Sequence, residues 1–193
     1  CGLIRKDAGT IHLDQREISG LPMHQRARLG VGYLPQEPSI FRRLTVEENI
    51  LAVLEALPDL DQAEREQRTK VMLDDFGISH KREALGFTLS GGERRRVEIA
   101  RAVSLQPSFI LLDEPFAGID PISVGDFQRM IRYLRDNGIG VLITDHNVRE
   151  TLSITDRAYL LFEGEILKSG TSSDLANDEE ARRLYLGEKF RLD

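Results

Sequence analysis

The sequence predicts an α/β protein, a core of parallel strands and helices interrupted by a helical insert. Short apolar runs without alternation, Phe109–Leu112, Val141–Ile143 and Ala158–Phe162, read as strands buried on both faces. Helical segments at Ile122–Arg135 and Val148–Ile154 separate them, and strand–helix–strand alternation implies a parallel sheet with right-handed crossovers. Ahead of these runs, between about Phe41 and Gln106, apolar residues recur at helical spacing among charges, which gives the insert.

In chain order, Ile11 and Leu13 alternate with His12 and Asp14, predicting a short half-buried strand. Gly30–Leu34 predicts a second strand, stopped by Pro35. Thr45–Leu57 places Val46, Ile50, Val53, Leu54 and Leu57 on one helical face, with Thr45 as N-cap and Glu48 three residues on. Asp61–Phe76 reads as a charged amphipathic helix ended by Gly77. Ser90–Leu105 reads as a helix closed off by Pro107.

Composition narrows the class. Forty per cent hydrophobic and thirty per cent charged residues describe an ordinary globular domain. A net charge of −6 argues against a nucleic-acid partner held by bulk charge, because phosphate binding needs clustered Lys and Arg. The run Arg94-Arg95-Arg96 is accordingly read as a solvated helical face. The single cysteine, Cys1, allows no intramolecular disulfide and fits a reducing, cytoplasmic compartment. No apolar run approaches the roughly 20 residues a membrane-spanning helix needs, so direct membrane insertion is not expected.

The chemistry is carried by "SFILLDEP", Ser108–Pro115. A strand ending in adjacent carboxylates sets Asp113 and Glu114 at the C-terminal edge of a parallel sheet, where α/β proteins bind ligands. Asp113 suits Mg²⁺, which takes a few carboxylates plus phosphate oxygens. Glu114 suits polarising an attacking water, since in phosphoryl transfer the protein mainly positions groups and neutralises charge. A strand that merely ends in a solvated turn is the plain alternative. In "LSGGERRRVEIARA", Leu89–Ala102, Ser90 and Glu93 have capping-box spacing. Gly91 and Gly92 let backbone N–H groups approach an anion at a helix N-terminus. A capped helix without a ligand is the alternative there.

Together with Gln36 in "YLPQE", Asp120 in "AGIDP" and His146 in "ITDHN", these stretches resemble the ABC ATPase family, with its Q-loop, signature, Walker B, D-loop and H-loop in order. The resemblance implies a P-loop NTPase-like, RecA-like core at 1–36 and 107–193 and a helical subdomain at 37–106. It implies ATP and Mg²⁺ as cofactors. Gln36 would couple the metal and γ-phosphate to the helical insert, and Asp113 would serve the metal. Glu114 would act as general base and His146 as γ-phosphate sensor. Ser90, Gly91 and Gly92 would contact the ATP bound by a second copy in a head-to-tail dimer, with Asp120 crossing that interface. The family's phosphate-cradling GxxxxGK[ST] is absent from the 193 residues. The opening, "CGLIRKDAGTIHLD", reads as an N-terminally truncated cassette that is inactive alone, and poor solubility of this stretch is expected.

One branch is especially close, the ATPase subunits of Gram-negative lipopolysaccharide exporters. Gly32–Ile50, Phe109–Val124, Gly140–Leu152 and the tail Tyr185–Leu192 resemble that branch. The likeness implies a motor held on the cytoplasmic face of the inner membrane by transmembrane partner subunits. Those partners would seat beside Ser39–Leu44, with Phe41 and Arg42 as contact residues. For Phe41, the core of the insert is an equal alternative. A branched-chain amino-acid importer subunit, a soluble ABC protein and a degenerate scaffold are the rival readings.

Overall fold

The structure, a computed structural model, describes residues 1–187 and Phe190. Of the tail resemblance, Glu188, Lys189, Arg191 and Leu192 lie outside the described residues. The chain opens on a small antiparallel hairpin, β1 (His12–Leu13) and β2 (Arg16–Glu17), followed by α1 (Met23–Arg28). β3 (Val31–Leu34) then enters the central sheet.

Between β3 and the next strand lie three helices, α2 (Val46–Leu54), α3 (Gln62–Asp75) and α4 (Gly91–Ser104). Each starts at a reciprocal capping box, in which the cap side chain takes the N3 backbone N–H and the N3 carboxylate takes the cap N–H. The pairs are Thr45 with Glu48, Asp61 with Glu64, and Ser90 with Glu93. Gly77 closes α3 at φ +63°, a left-handed conformation that glycine adopts without penalty. Gly86 serves a different need: a Cβ there would sit 2.9 Å from the Phe41 carbonyl oxygen, so only glycine lets this turn lie against the Phe41–Arg42 backbone.

The sheet continues with β4 (Phe109–Asp113), α5 (Pro121–Asp136) and β5 (Gly140–Thr144). Strand order is β3-β4-β5, all parallel, with Leu34 opposite Leu112 and Asp113 opposite Thr144. The parallel core and the inserted helices are as the sequence predicts. One continuous core joins them: Leu34, Ile110 and Leu112 of the sheet pack with Ile50, Leu54, Phe76 and Ile99 of the insert and Phe127 and Leu134 of α5.

After α6 (Val148–Leu152), β6 (Ala158–Phe162) departs from the expectation. It does not extend the parallel sheet but pairs antiparallel with β7 (Glu165–Gly170) as a separate hairpin. The cause is local. Glu163 and Gly164 both take positive φ, 50° and 84°, the two-residue turn whose twist matches antiparallel strands. Burial on both faces also fails, because Tyr159, Leu161, Phe162 and Leu142 of β5 are exposed. The chain ends in α7 (Ser172–Asn177), capped by Thr171, and a turn of α8 (Glu179–Ala181) running into Arg182–Leu186. Leu152, Leu160, Leu175 and Ala181 form a second, smaller core beneath the hairpin.

Candidate active site

The C-terminal edge of the parallel sheet gathers four of the residues singled out in the sequence. Gln36, two residues beyond β3, donates its Nε2 amide to Glu114 Oε2 at 2.8 Å. His146 Nδ1 lies 3.3 Å from the same oxygen. Glu114 itself sits just past β4 at φ +42°, a region that costs a non-glycine residue on the order of 1–3 kcal/mol. Its backbone N–H donates to the Thr144 carbonyl at 2.7 Å, which fixes the turn to the end of β5. A strained backbone held by a ladder bond aims the carboxylate outward, between its two partners.

Asp113 precedes it and points to the neighbouring strands. Its Oδ2 accepts the Tyr33 hydroxyl at 3.1 Å and its Oδ1 the Thr144 hydroxyl at 2.8 Å. Burial, then the hydrogen bond to Asp113, holds the Tyr33 phenol above its ordinary range, so it remains a donor at neutral pH. Asp145, between Thr144 and His146, has a fully buried carboxylate. It accepts the Phe116 and Asn147 backbone N–H groups at 2.9 and 2.7 Å, pinning the loop after Glu114 to the loop that carries His146. Tyr33, Thr144 and Asp145 were not singled out in the sequence. The quoted "YLPQE" and "ITDHN" placed them at the right edge, but nothing assigned them partners.

Ser90, Gly91 and Gly92 form the N-terminus of α4, away from this cluster; among the described residues no hydrogen bond joins them to Glu114. A Cβ built on Gly91 meets nothing within 4 Å, and one on Gly92 lies 3.8 Å from Ser123 Oγ, so this end of the helix is open. The Glu93 carboxyl is held below its ordinary range, first by the Ser90 backbone N–H and then by the Ser90 side chain, with Lys81 3.2 Å away. Asp120 caps α5, its Oδ1 accepting the Ile122 N–H at 3.0 Å.

The Arg94-Arg95-Arg96 run is not a uniformly solvated face. Arg95 is buried, donating to the Pro35 carbonyl at 3.0 Å and to Glu98 at 3.3 Å. Arg96 pairs with Asp126 of α5 at 2.7 Å. Helical spacing explains the correction: three consecutive residues span most of a turn and cannot share one face. Phe41 is 43% exposed, with the Arg101 guanidinium 4.6 Å over its ring, so it is not part of the insert core. Arg42, exposed, lines a groove of about 200 Å³ with Pro38, Ile40, Gly86, Phe87 and Arg94.

Comparison with known proteins gives the family and the fold. The sequence profile described as ABC transporter matches residues 1–117. The chain is 56% identical over 191 residues, 99% of its length and 79% of the relative's, to the lipopolysaccharide export system ATP-binding protein LptB of Escherichia coli (strain K12). It is 58% identical, with the same coverage, to the protein of that name from Haemophilus influenzae. Among solved structures, the ADP conformation of an ATP-binding cassette of an ABC transporter superposes with a TM-score of 0.82 at 26% identity, covering 97% of this chain and 80% of that one. By profile, sequence and fold, the chain belongs to the ABC transporter family and has the fold of its ATP-binding cassettes.

Proposed function

We propose that this chain is the ATP-hydrolysing motor subunit of a transporter that drives lipopolysaccharide export. The observation that carries the chemistry is the convergence of Gln36 and His146 on one oxygen of Glu114 at the sheet edge. In this reading Glu114 is the general base, polarising the water that attacks the γ-phosphate. His146, with its ring exposed beside that carboxylate, hydrogen-bonds the same phosphate and holds Glu114 in place. The names of the relatives sharing 56–58% identity support the cargo.

The donor set suits Mg²⁺. Asp113 brings carboxylate oxygens that keep acceptor capacity beyond their Tyr33 and Thr144 bonds, and Gln36, donating through Nε2, leaves Oε1 free to accept. Among the described residues no cluster of three acidic, His or Cys side chains forms a closed cage. Mg²⁺ fits such a sparse oxygen site because it retains water and shares phosphate oxygens. Bound there with ATP, it would neutralise charge developing on the phosphates.

Ser90, Gly91 and Gly92, open to one side, serve the ATP of a second copy arranged head to tail, and Asp120 lies at that interface. The segment 37–106 acts as a helical subdomain within the 1–36 and 107–193 core. No described helix is long and apolar enough to cross a membrane. Transmembrane partner subunits hold the motor on the cytoplasmic face of the inner membrane, seated beside the exposed Phe41 and Arg42.

Replacing Glu114 by Gln in the full-length protein tests the reading. Steady-state ATP hydrolysis should fall by about 10²–10⁴-fold, the usual contribution of a general base, with nucleotide affinity nearly unchanged. An unaltered turnover rate would falsify the assignment.

A further inference from the structure

Residues 35–41, which connect Gln36 to the helical segment, have few backbone partners of their own, yet they are held tightly, and the holding groups come from one face of α4. Glu98 is 2% exposed. Its Oε1 accepts the Ser39 N–H at 2.7 Å and the Ile40 N–H at 3.1 Å, and its Oε2 faces Arg95 Nη1 at 3.3 Å. Arg95 reaches on to the Pro35 carbonyl. One turn further along, Arg101 donates to Ser39 Oγ at 2.7 Å and lies over the Phe41 ring. Positions 95, 98 and 101 recur at i, i+3 and i+6, so a single helical stripe grips the segment along its length. The far side is fixed by Asn49 of α2, which exchanges hydrogen bonds with the Phe41 backbone at 2.8 and 3.1 Å.

A buried carboxylate in a helix interior is costly unless its lone pairs are used. Here they are used on two consecutive backbone N–H groups and a guanidinium. Core packing would be served better by Leu or Met; what Glu98 supplies beyond packing is a fixed acceptor oxygen for Ser39 and Ile40. The same helix begins at Ser90-Gly91-Gly92, so α4 carries the open glycine pair at one end and the grip on Gln36's segment two turns later.

We propose that Glu98 is a positioning residue for ATP hydrolysis. By tying Ser39 and Ile40 to α4, it sets the reach of Gln36 to Glu114 and couples that reach to the position of the α4 N-terminus. The inference rests on the hydrolytic reading above.

The full-length protein carries the test. Glu98→Asp keeps the charge but withdraws the oxygen by about one bond length, whereas Glu98→Gln keeps an acceptor at the same reach. With Asp, kcat should drop about tenfold or more, the scale on which a misplacement of about 1 Å slows a positioned reaction, while KM for ATP stays within about twofold. With Gln, kcat should recover to within about threefold of the parent. Because Glu98 acts through Gln36, the Gln36→Ala, Glu98→Asp double variant should be no slower than Gln36→Ala alone. Equal damage from Asp and Gln, or full additivity in the double variant, would overturn the inference. If Glu98→Asp does not fold, Glu98→Gln combined with Gln36→Ala runs the same cycle with hydrogen exchange at the Ser39 and Ile40 amides: protection as in the parent is expected, and its loss overturns the proposal. Glu114→Gln measured alongside separates the two claims, since retained hydrolysis there removes the catalytic reading itself.

Discussion

Glu93 closes the capping box of α4 and carries a pH signature. Its carboxyl titrates below the ordinary value of 4.5, chiefly because the Ser90 N–H donates to it. A depressed folded-state pKa means the stabilising contribution is complete above about pH 4.5 and is lost as pH falls toward the lower folded value. Replacing Glu93 by Gln should therefore flatten the fall in melting temperature below about pH 4.5, while leaving stability at pH 7 lowered by no more than about 1 kcal/mol. Thermal melts of both proteins across pH 3–7 check it, and parallel curves would refute it. At this scale, the sequence showed residues that advertise themselves by spacing: Gln36, Glu114 and His146, each at the polar end of an apolar run. Glu98 did not, because a glutamate among helix formers looks like a surface residue until its partners, about sixty positions away, are in place.

The three inserted helices illustrate what elements reveal of themselves. Thr45, Asp61 and Ser90 each precede a glutamate by three positions, and all three boxes form. Asp61 is the informative one to break, since α3 is highly charged and draws little on burial. Asp61→Ala should cost about 1 kcal/mol of unfolding free energy, and Asp61→Asn much less. Urea unfolding measures both, and equal losses would mean the box contributes through charge alone. The hairpin of β6 and β7 was the illegible element. Its first strand has the apolar run of a buried parallel strand, and β7 with Ser169 and Lys168 has no comparable pattern. Which partner a strand takes was decided by a two-residue turn, Glu163-Gly164, whose first residue is not a usual left-handed one.

Over the whole molecule the apolar surface is uneven. Leu161 and Ile166 on the hairpin are 59% and 61% exposed, and Leu142 on β5 is also open to solvent. Exposed apolar side chains on strands are a template for association. The 193-residue stretch, purified by itself, should associate with rising concentration, and the pair Leu161→Thr, Ile166→Thr should shift it toward monomer. Sedimentation across a concentration series reads this directly; an unchanged distribution would show that the hairpin face is inert. The parallel order of β3, β4 and β5 was foreseeable because each strand ends in chemistry at one edge, and α/β crossovers allow few alternatives.

The bond from the Glu114 amide to the Thr144 carbonyl has a wider meaning. It ties Glu114 to the strand that leads into His146, with Asp145 as a second link between their loops. Gln36 comes from the adjoining end of β3, and the segment around it is tied to α4. In the proposed reading, a shift of α4 would reach the cluster through Gln36 rather than by parting Glu114 from His146.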